Sequence, residues 1–206
     1  MIAHLAQPHR CLSWAPVAPA FTVASRVAWY FLEIDELAPV RDPSAWLLRQ
    51  MQAAGFGDAV GLMTSRRRHQ HAVAEAAHTD AFCRCVATVG LGNSLAAGDP
   101  AHATASRTIN LLCQLSDPMT DGALVEAIAL AAEARTSAML SSGVRSVVSG
   151  QPATGTGTDC IVVAAPVSPA EASAYCGKHT AIGERLGRAV YQAVAHGVAQ
   201  WQQEFA

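Results

Sequence analysis

The sequence predicts an α+β fold in which a mixed β-sheet is covered by helices, with a three-layer α/β fold as the alternative. Two observations favour this class: strand-like apolar runs come first, and further such runs then alternate with two long helical stretches. A third observation is a length of 206 residues without an internal repeat, long linker or low-complexity block, which predicts a single domain over residues 1–206.

The strand-like runs are short and are separated by polar or turn residues. They lie at residues 60–64, 71–77, 82–90, 108–115 and 160–165, and a weaker pattern at 144–148 allows one more short strand. Prolines and polar residues interrupt the beginning of the chain, so we expect residues 1–20 to be irregular.

Three helices are predicted from periodicity and end signals. The first runs from Pro43 to Ala54, with Asp42 as N-cap and Gly55 as the stop. The second runs from Asp121 to about residue 140. The third begins near Thr180 and carries an apolar stripe expected to pack on the sheet: Ile182, Leu186, Val190, Ala193 or Val194, Gly197 and Trp201.

Composition excludes several classes of function. The formal net charge is -2 and the only basic run is Arg66–Arg68, which is too little positive charge for a nucleic-acid surface. No apolar stretch approaches the roughly 18 residues of a membrane span. Histidines and prolines break the apolar start of the chain, so we predict no signal peptide and expect a cytoplasmic protein. The six cysteines lack paired spacing and are expected to be buried free thiols.

An alternating Thr-Gly segment is the strongest local signal for a site. Thr154, Gly155, Thr156, Gly157 and Thr158 run into Asp159 and then directly into an apolar strand. The glycines allow close approach of the backbone to a ligand, and the threonines offer hydroxyl groups. The structural alternative, given about equal weight, is a polar turn in which Asp159 caps neighbouring amides.

A second signal, Gly177-Lys178-His179-Thr180, precedes the last helix. Thr180 is a natural N-cap, whereas Lys178 and His179 have no evident structural purpose. The segment lacks the first glycine of a P-loop, so its likeness to ATP-binding proteins is coincidental. A lysine and a histidine at a helix start could instead bind an anion, stabilise an oxyanion or move a proton.

Other titratable residues favour structural interpretations. His69, His71 and His78 form a cluster, with His69 and His71 placed on one face if they lie on a strand, but no third ligand stands at fixed spacing and we predict no metal site. Glu133, two residues before Arg135, is by default part of a solvated charge pair, and a catalytic carboxylate is the sharper alternative.

The order of several motifs resembles the CbiZ family, the adenosylcobinamide amidohydrolases of corrinoid salvage. The matching segments span residues 60 to 190 and are Val60–Thr64, Val89–Ser94 with Gly98–Pro100, Thr108–Asn110, Glu133–Thr136, Ala153–Asp159 and Gly177–Gly183 with Glu184. Three features depart from the family: Leu12–Ala15, which includes Trp14, resembles its opening only loosely, residues 16–20 stand where a glycine-containing ligand loop is expected, and Arg135 stands where a lysine is common. Lys178, the single lysine, and Asn93 and Asn110, the two asparagines, all fall inside matching segments.

The resemblance implies hydrolysis of the amide between the corrin propionyl side chain and aminopropanol, which yields adenosylcobyric acid and (R)-1-amino-2-propanol. The partner is then a small-molecule corrinoid that brings its own cobalt, so no separate cofactor is implied. Alternatives are a cobamide-remodelling hydrolase that acts on pseudocobalamin, a non-catalytic corrinoid-binding protein, and a nucleotide-binding module. A homodimer is compatible with the apolar stripe of the last helix, although the same stripe serves as ordinary core.

Amide hydrolysis needs an activated nucleophile, an oxyanion stabiliser and a proton for the leaving amine. We hypothesise that Asp159 or His179 activates water or that Asp159 orients His179, that Lys178 and loop amides stabilise the oxyanion, and that Glu133 assists. A threonine nucleophile from the Thr-Gly segment with Lys178 as base is the competing version. The amides of Asn93 and Asn110, together with the Thr-Gly segment and Thr180, are expected to bind substrate.

Overall fold

The order of strands in the main sheet determines where the functional segments lie. The structure is a computed structural model that describes residues 1–33, 35–101, 107–168 and 170–205. Within these ranges the chain forms nine strands and three helices. The strands are β1 (Ile2–Ser13), β2 (Ala20–Phe31), β3 (Val60–Thr64), β4 (Ala72–His78), β5 (Ala81–Val89), β6 (Ser94–Leu95), β7 (Ile109–Leu115), β8 (Gly155–Thr156) and β9 (Cys160–Pro166). The helices are α1 (Pro43–Ala53), α2 (Asp121–Ser141) and α3 (Ala181–Phe205).

Seven strands form one mixed sheet in the order β3-β2-β1-β9-β7-β5-β4, and β6 pairs with β8 in a small second sheet. The pairs β2–β3 and β7–β9 are parallel, and the other pairs in the large sheet are antiparallel. Strands β7 and β9 lie in the middle of the sheet and are almost wholly buried, which explains their continuous apolar sequence. The α+β prediction and its mixed sheet are confirmed.

Helices α2 and α3 pack together on one face of the sheet, and α1 packs on β3. The predicted stripe of α3 is the buried face of that helix from Ile182 to Val198. Gly197 allows close packing on the sheet, because a methyl group there would lie 2.5 Å from Val89 Cγ2. Among the described residues, no helix combines the length and the apolar character that crossing a membrane requires.

A second apolar cluster, separate from the core to which α2 and α3 contribute, includes Trp29, Leu62, Leu112 and Val162. The edge strand β3 also contacts β7. The pairing of β1 with β2 shifts register between His4 and His9, and such a bulge bends the strand that carries it.

The expectation of an irregular start to the chain is wrong, because β1 occupies residues 2–13. Pro8 cannot donate a ladder hydrogen bond, but it lies within the shifted register, where a proline is tolerated. Its carbonyl oxygen still accepts a hydrogen bond from the amide of Val167 at 2.9 Å. Strand β2 was not predicted at all, and the weak pattern at 144–148 forms a turn with an isolated bridge between Arg145 and Pro152.

The end signals of the first helix are confirmed. Asp42 Oδ1 accepts a hydrogen bond from the amide of Ala45 at 2.9 Å, and Pro43 is the first helical residue. Gly55 follows with a φ of 79°, the left-handed conformation that glycine adopts at helix ends.

Candidate active site

The Thr-Gly segment is held between two parts of the fold. Its first residues form β8, which pairs with β6. The Thr154 amide donates to the Leu95 carbonyl oxygen at 2.9 Å, and the Thr154 hydroxyl accepts from the Ala97 amide at 2.8 Å. The segment then enters β9 in the middle of the large sheet. It is therefore a constrained loop at the end of a central strand.

Asp159 lies at the centre of this arrangement, with its side chain 7% exposed. Its carboxylate accepts hydrogen bonds from the amides of Thr156 at 3.0 Å and Ile109 at 3.1 Å, and from the Thr156 hydroxyl. Arg135 Nη1 on α2 donates to Asp159 Oδ2 at 2.6 Å. Burial raises the pKa of Asp159 above its ordinary value, and the Arg135 guanidinium opposes that shift. Hydrogen bonds from Thr156 and from the Ile109 amide lower the pKa as well, so the cation and these donors together favour the ionised carboxylate.

Gly155 makes room for the buried ion pair. A methyl group at this position would overlap Asp159 Oδ2 and would lie 3.2 Å from Arg135 Cζ. The glycine in the segment is therefore required by the close approach of Asp159 and Arg135 to the backbone of β8.

The three threonines of the segment differ in what their hydroxyls contact. The Thr158 hydroxyl donates to the carbonyl oxygen of Arg107 at 3.0 Å, and the Thr154 hydroxyl accepts from a backbone amide. Only the half-buried Thr156, among these three, has its hydroxyl donating to a carboxylate, Asp159 Oδ1. Such a contact is the arrangement in which a hydroxyl can be deprotonated as it attacks.

Trp14 contributes to two concave surfaces beside this loop. The residue is 48% exposed, and its Nε1 donates to the carbonyl oxygen of Asp159 at 2.6 Å. The first surface is an open cleft of about 510 Å³, lined mainly by residues 154–159, Arg135 and residues 95–97. The second is a less open cavity of about 260 Å³, mainly apolar. Trp14, Thr158 and Asp159 line both surfaces.

The two asparagines lie buried near the loop. The Asn110 amide group donates to the carbonyl oxygen of Met63 at 2.5 Å, and its carbonyl oxygen accepts from the Thr108 hydroxyl at 3.3 Å. Asn110 also borders the apolar cavity. Asn93 is 1% exposed, in the turn that leads into β6. Substrate contact by either asparagine stays a prediction.

Lys178 and Glu133 form a different group. Lys178 Nζ donates to both carboxylate oxygens of Glu133, at 2.7 and 3.0 Å, and the lysine side chain is 71% exposed. His179 is also exposed. Thr180 caps α3, because its hydroxyl accepts from the Gly183 amide at 2.9 Å and donates to the Gly177 carbonyl oxygen at 2.8 Å.

Helix α2 keeps this group apart from the Thr-Gly segment. Glu133 and Arg135 are two residues apart, about 200° around the helix, and they flank the buried Ala134 on opposite sides. The interpretation of Glu133 and Arg135 as a pair is therefore wrong, because each binds a partner on its own side of the helix. The structure brings Asp159 together with the Thr-Gly segment and does not place Lys178 or Glu133 in the cleft beside it.

Two residues of the cleft were missed as site residues in the sequence. Arg135 was noted as the neighbour of Glu133 in a solvated charge pair and as a departure from a common lysine, and Trp14 only as part of a divergent opening. A tryptophan two residues before Pro16, in a chain with four tryptophans, was the available signal for Trp14. No local signal ties Arg135 to Asp159, because the partners lie 24 residues apart on different elements.

The histidines and cysteines occupy other regions. His69 and His71 lie in the turn before β4 and not on a strand, and His71 Nδ1 lies 3.1 Å from the Arg68 carbonyl oxygen. In the described part of the chain, no cluster of three or more potential ligands is arranged to hold a metal ion. All six cysteines are buried free thiols, and burial raises the pKa of Cys11, Cys160 and Cys176 to about 12.

Comparison with known proteins shows the family to which the chain belongs. The family model described as adenosylcobinamide amidohydrolase matches residues 1–206, so the chain belongs to the CbiZ family. An uncharacterized protein of Methanocaldococcus jannaschii is 38% identical over 88 residues, which is 42% of this chain. The match covers 34% of that protein, about a third of its length.

Proposed function

We propose that this protein hydrolyses the amide between the corrin propionyl side chain and aminopropanol in adenosylcobinamide. The products are adenosylcobyric acid and (R)-1-amino-2-propanol, and the reaction serves corrinoid salvage. Family membership supports the reaction class. The observation that carries the proposal is the Thr156 hydroxyl, which donates to a buried Asp159 carboxylate paired with Arg135 at an open cleft.

In the proposed reaction, Thr156 is the nucleophile and Asp159 is its base. As Thr156 Oγ1 bonds to the amide carbon, its proton passes to Asp159. Asp159 then gives the proton to the amide nitrogen, the carbon–nitrogen bond breaks and aminopropanol leaves. Water hydrolyses the ester formed on Thr156, again with Asp159 as base, and the hydroxyl is restored. Arg135 keeps Asp159 ionised before attack, and amides of the Thr-Gly segment stabilise the oxyanion.

The substrate is too large to enter either surface completely. The apolar cavity of about 260 Å³ lies below the roughly 300–1,000 Å³ of typical small-molecule sites. In the proposed complex the corrin ring stacks over the exposed Trp14 with its rim toward the cleft, which would allow the aminopropanol arm to reach Thr156. The cobalt belongs to the substrate and takes no part in this proton transfer.

The product assay tests the reaction directly. Purified protein is incubated with adenosylcobinamide, and adenosylcobyric acid and aminopropanol are measured by mass spectrometry. Equimolar formation of both supports the proposal, whereas tight corrinoid binding without either product supports the alternative of a corrinoid-binding protein. The same assay with pseudocobalamin tests the remodelling role. Stabilisation by ATP, without any effect of corrinoids, would favour a nucleotide-binding module instead.

The Lys178, His179 and Glu133 group is the competing location for the chemistry. Lys178→Met and Glu133→Gln remove its ion pair at an exposed position, where little stability is at stake. A loss of kcat by orders of magnitude in these variants, with normal kcat in Thr156→Val, would move the catalytic site to the start of α3.

A further inference from the structure

We propose that the apolar cavity beside Trp14 binds the adenosyl group of the corrinoid as a neutral purine nucleoside. This inference rests on the proposed function and adds a subsite that sets specificity for the upper ligand. The cavity shares Trp14, Thr158 and Asp159 with the cleft in which the amide is hydrolysed. A single substrate that reaches both surfaces would therefore span Trp14.

The walls of the cavity suit a flat, largely apolar group. Trp14 forms one wall, and the other apolar contributions come from residues 16, 32, 37, 43 and 63. The volume of about 260 Å³ suits a base with its ribose and not a tetrapyrrole-sized ring. Stacking on an exposed indole is a general way to bind any nucleobase.

The polar groups of the cavity suit adenine. The Asn110 amide has one hydrogen and one lone pair beyond its bonds to Met63 and Thr108. An asparagine amide can pair with the donor and acceptor of adenine N6 and N7. The hydroxyl side chains of Thr64, Ser65 and Thr108 also line the cavity and could contact the ribose.

The charge of the cavity indicates a nucleoside and not a phosphorylated nucleotide. Among the described lining residues none is basic, and the only acidic one, Asp159, already pairs with Arg135. A phosphate placed there would lose its hydration without gaining a cationic partner. The adenosyl group carries no phosphate, so it avoids this penalty.

The arrangement of the two surfaces also fits the shape of the substrate. The adenosyl group is bonded to cobalt and stands on a face of the corrin, whereas the aminopropanol amide hangs from the rim of the ring. A ring seated with its rim over Trp14 would direct the two groups to two different surfaces. The cavity and the cleft are two such surfaces, and both include Trp14 in their lining.

The test compares adenosylcobinamide with cyanocobinamide, which has a small upper ligand. We expect kcat/KM of the native protein to be roughly 10-fold or more higher for the adenosyl form, as stacking of one base allows. Leu37→Trp places a bulky side chain in the cavity and should abolish this preference, because kcat/KM should fall far more for the adenosyl form than for cyanocobinamide. Ser65→Phe, at another wall, is a second variant with the same expectation. Val73→Trp, on an exposed position of β4, is the matched control.

The outcomes separate this inference from the proposed function. Equal kcat/KM for the two corrinoids, or a parallel loss of both in Leu37→Trp and Ser65→Phe, would refute the adenosyl subsite while leaving the hydrolase in place. If neither corrinoid is hydrolysed, the proposed function fails, and calorimetric binding of the two corrinoids decides the subsite. Tighter binding of the adenosyl form that both cavity variants abolish supports it, and equal binding refutes it.

Discussion

Removal of Arg135 is the sharpest test of the buried ion pair at the candidate site. In Arg135→Met, the Asp159 carboxylate stays buried with its side chain 7% exposed and loses its cationic partner. Breaking a buried pair from one side typically costs about 3–5 kcal/mol of unfolding free energy. Three hydrogen bonds to Asp159 remain, so we expect a loss near the lower end, about 3 kcal/mol.

This loss should be visible in thermal unfolding. For a chain of this length, 1 kcal/mol shifts Tm by about 2–4 °C, so Arg135→Met should lower Tm by about 6–12 °C. Arg188→Met is the matched control, because it breaks an ion pair with Glu184 in which both side chains are more than 60% exposed. Such exposed pairs contribute about 0–1 kcal/mol. Arg135→Lys keeps the charge without the guanidinium geometry and should fall between native and Arg135→Met.

The pH dependence gives a second signature of the same pair. Burial raises the pKa of Asp159 in the folded protein, and loss of Arg135 removes the largest contribution that opposes this shift. A carboxyl whose pKa is higher in the folded state binds a proton more tightly there, so a falling pH favours folding. The Tm difference between native and Arg135→Met should therefore shrink as the pH falls from neutral toward the ordinary pKa of a carboxyl group.

Two results would refute this reasoning about Arg135. One is a Tm loss no larger than that of Arg188→Met, and the other is a loss that does not change with pH. A double-mutant cycle with Asp159→Asn adds a further check. Arg135→Met should cost less stability in that background, because no buried charge is left without a partner.

Two further pairs of variants test the backbone of the site. Gly183→Ala should lose about 1–3 kcal/mol of unfolding free energy, because the methyl group would overlap the Gly177 carbonyl oxygen. Gly187→Ala, in the same helix, should gain about 0.5–1 kcal/mol, because its methyl group meets nothing within 4 Å. Ala20→Gly should gain about 1 kcal/mol by relieving a φ of 63°, and Ala24→Gly inside β2 should lose about 0.5–1 kcal/mol. Denaturant unfolding measures all four, and reversed signs within either pair would contradict the backbone geometry.

The central strands could be predicted from sequence because burial on both faces makes them continuously apolar. Cys160–Pro166 is such a strand, and every residue in it is buried. Strand β1 could not be predicted, because Pro8 lies in it and the register shift disturbs its alternation. Its pairing with β2 and β9 is a tertiary property that compensates for weak local signals.

The candidate site could be predicted only in part for a similar reason. The density of glycine and threonine before β9 indicated Asp159 and its loop. Glu133 and Arg135 point about 200° apart around α2. Only the packing of the helix decides which of the two contacts that loop. The left-handed φ of Ala18 and Ala20, 57° and 63°, lies in the segment where a glycine-containing loop was expected. That segment keeps a glycine-like backbone without glycine.

The most direct test of the central claim is the single-turnover rate of adenosylcobinamide hydrolysis in native protein, Thr156→Ser and Thr156→Val. Thr22→Val, in β2 and away from the cleft, is the control. The account predicts product from native protein, from Thr156→Ser and from the control. In Thr156→Val, which keeps the shape of the side chain without its hydroxyl, the single-turnover rate should fall by several orders of magnitude. Near-native product formation by Thr156→Val would contradict it.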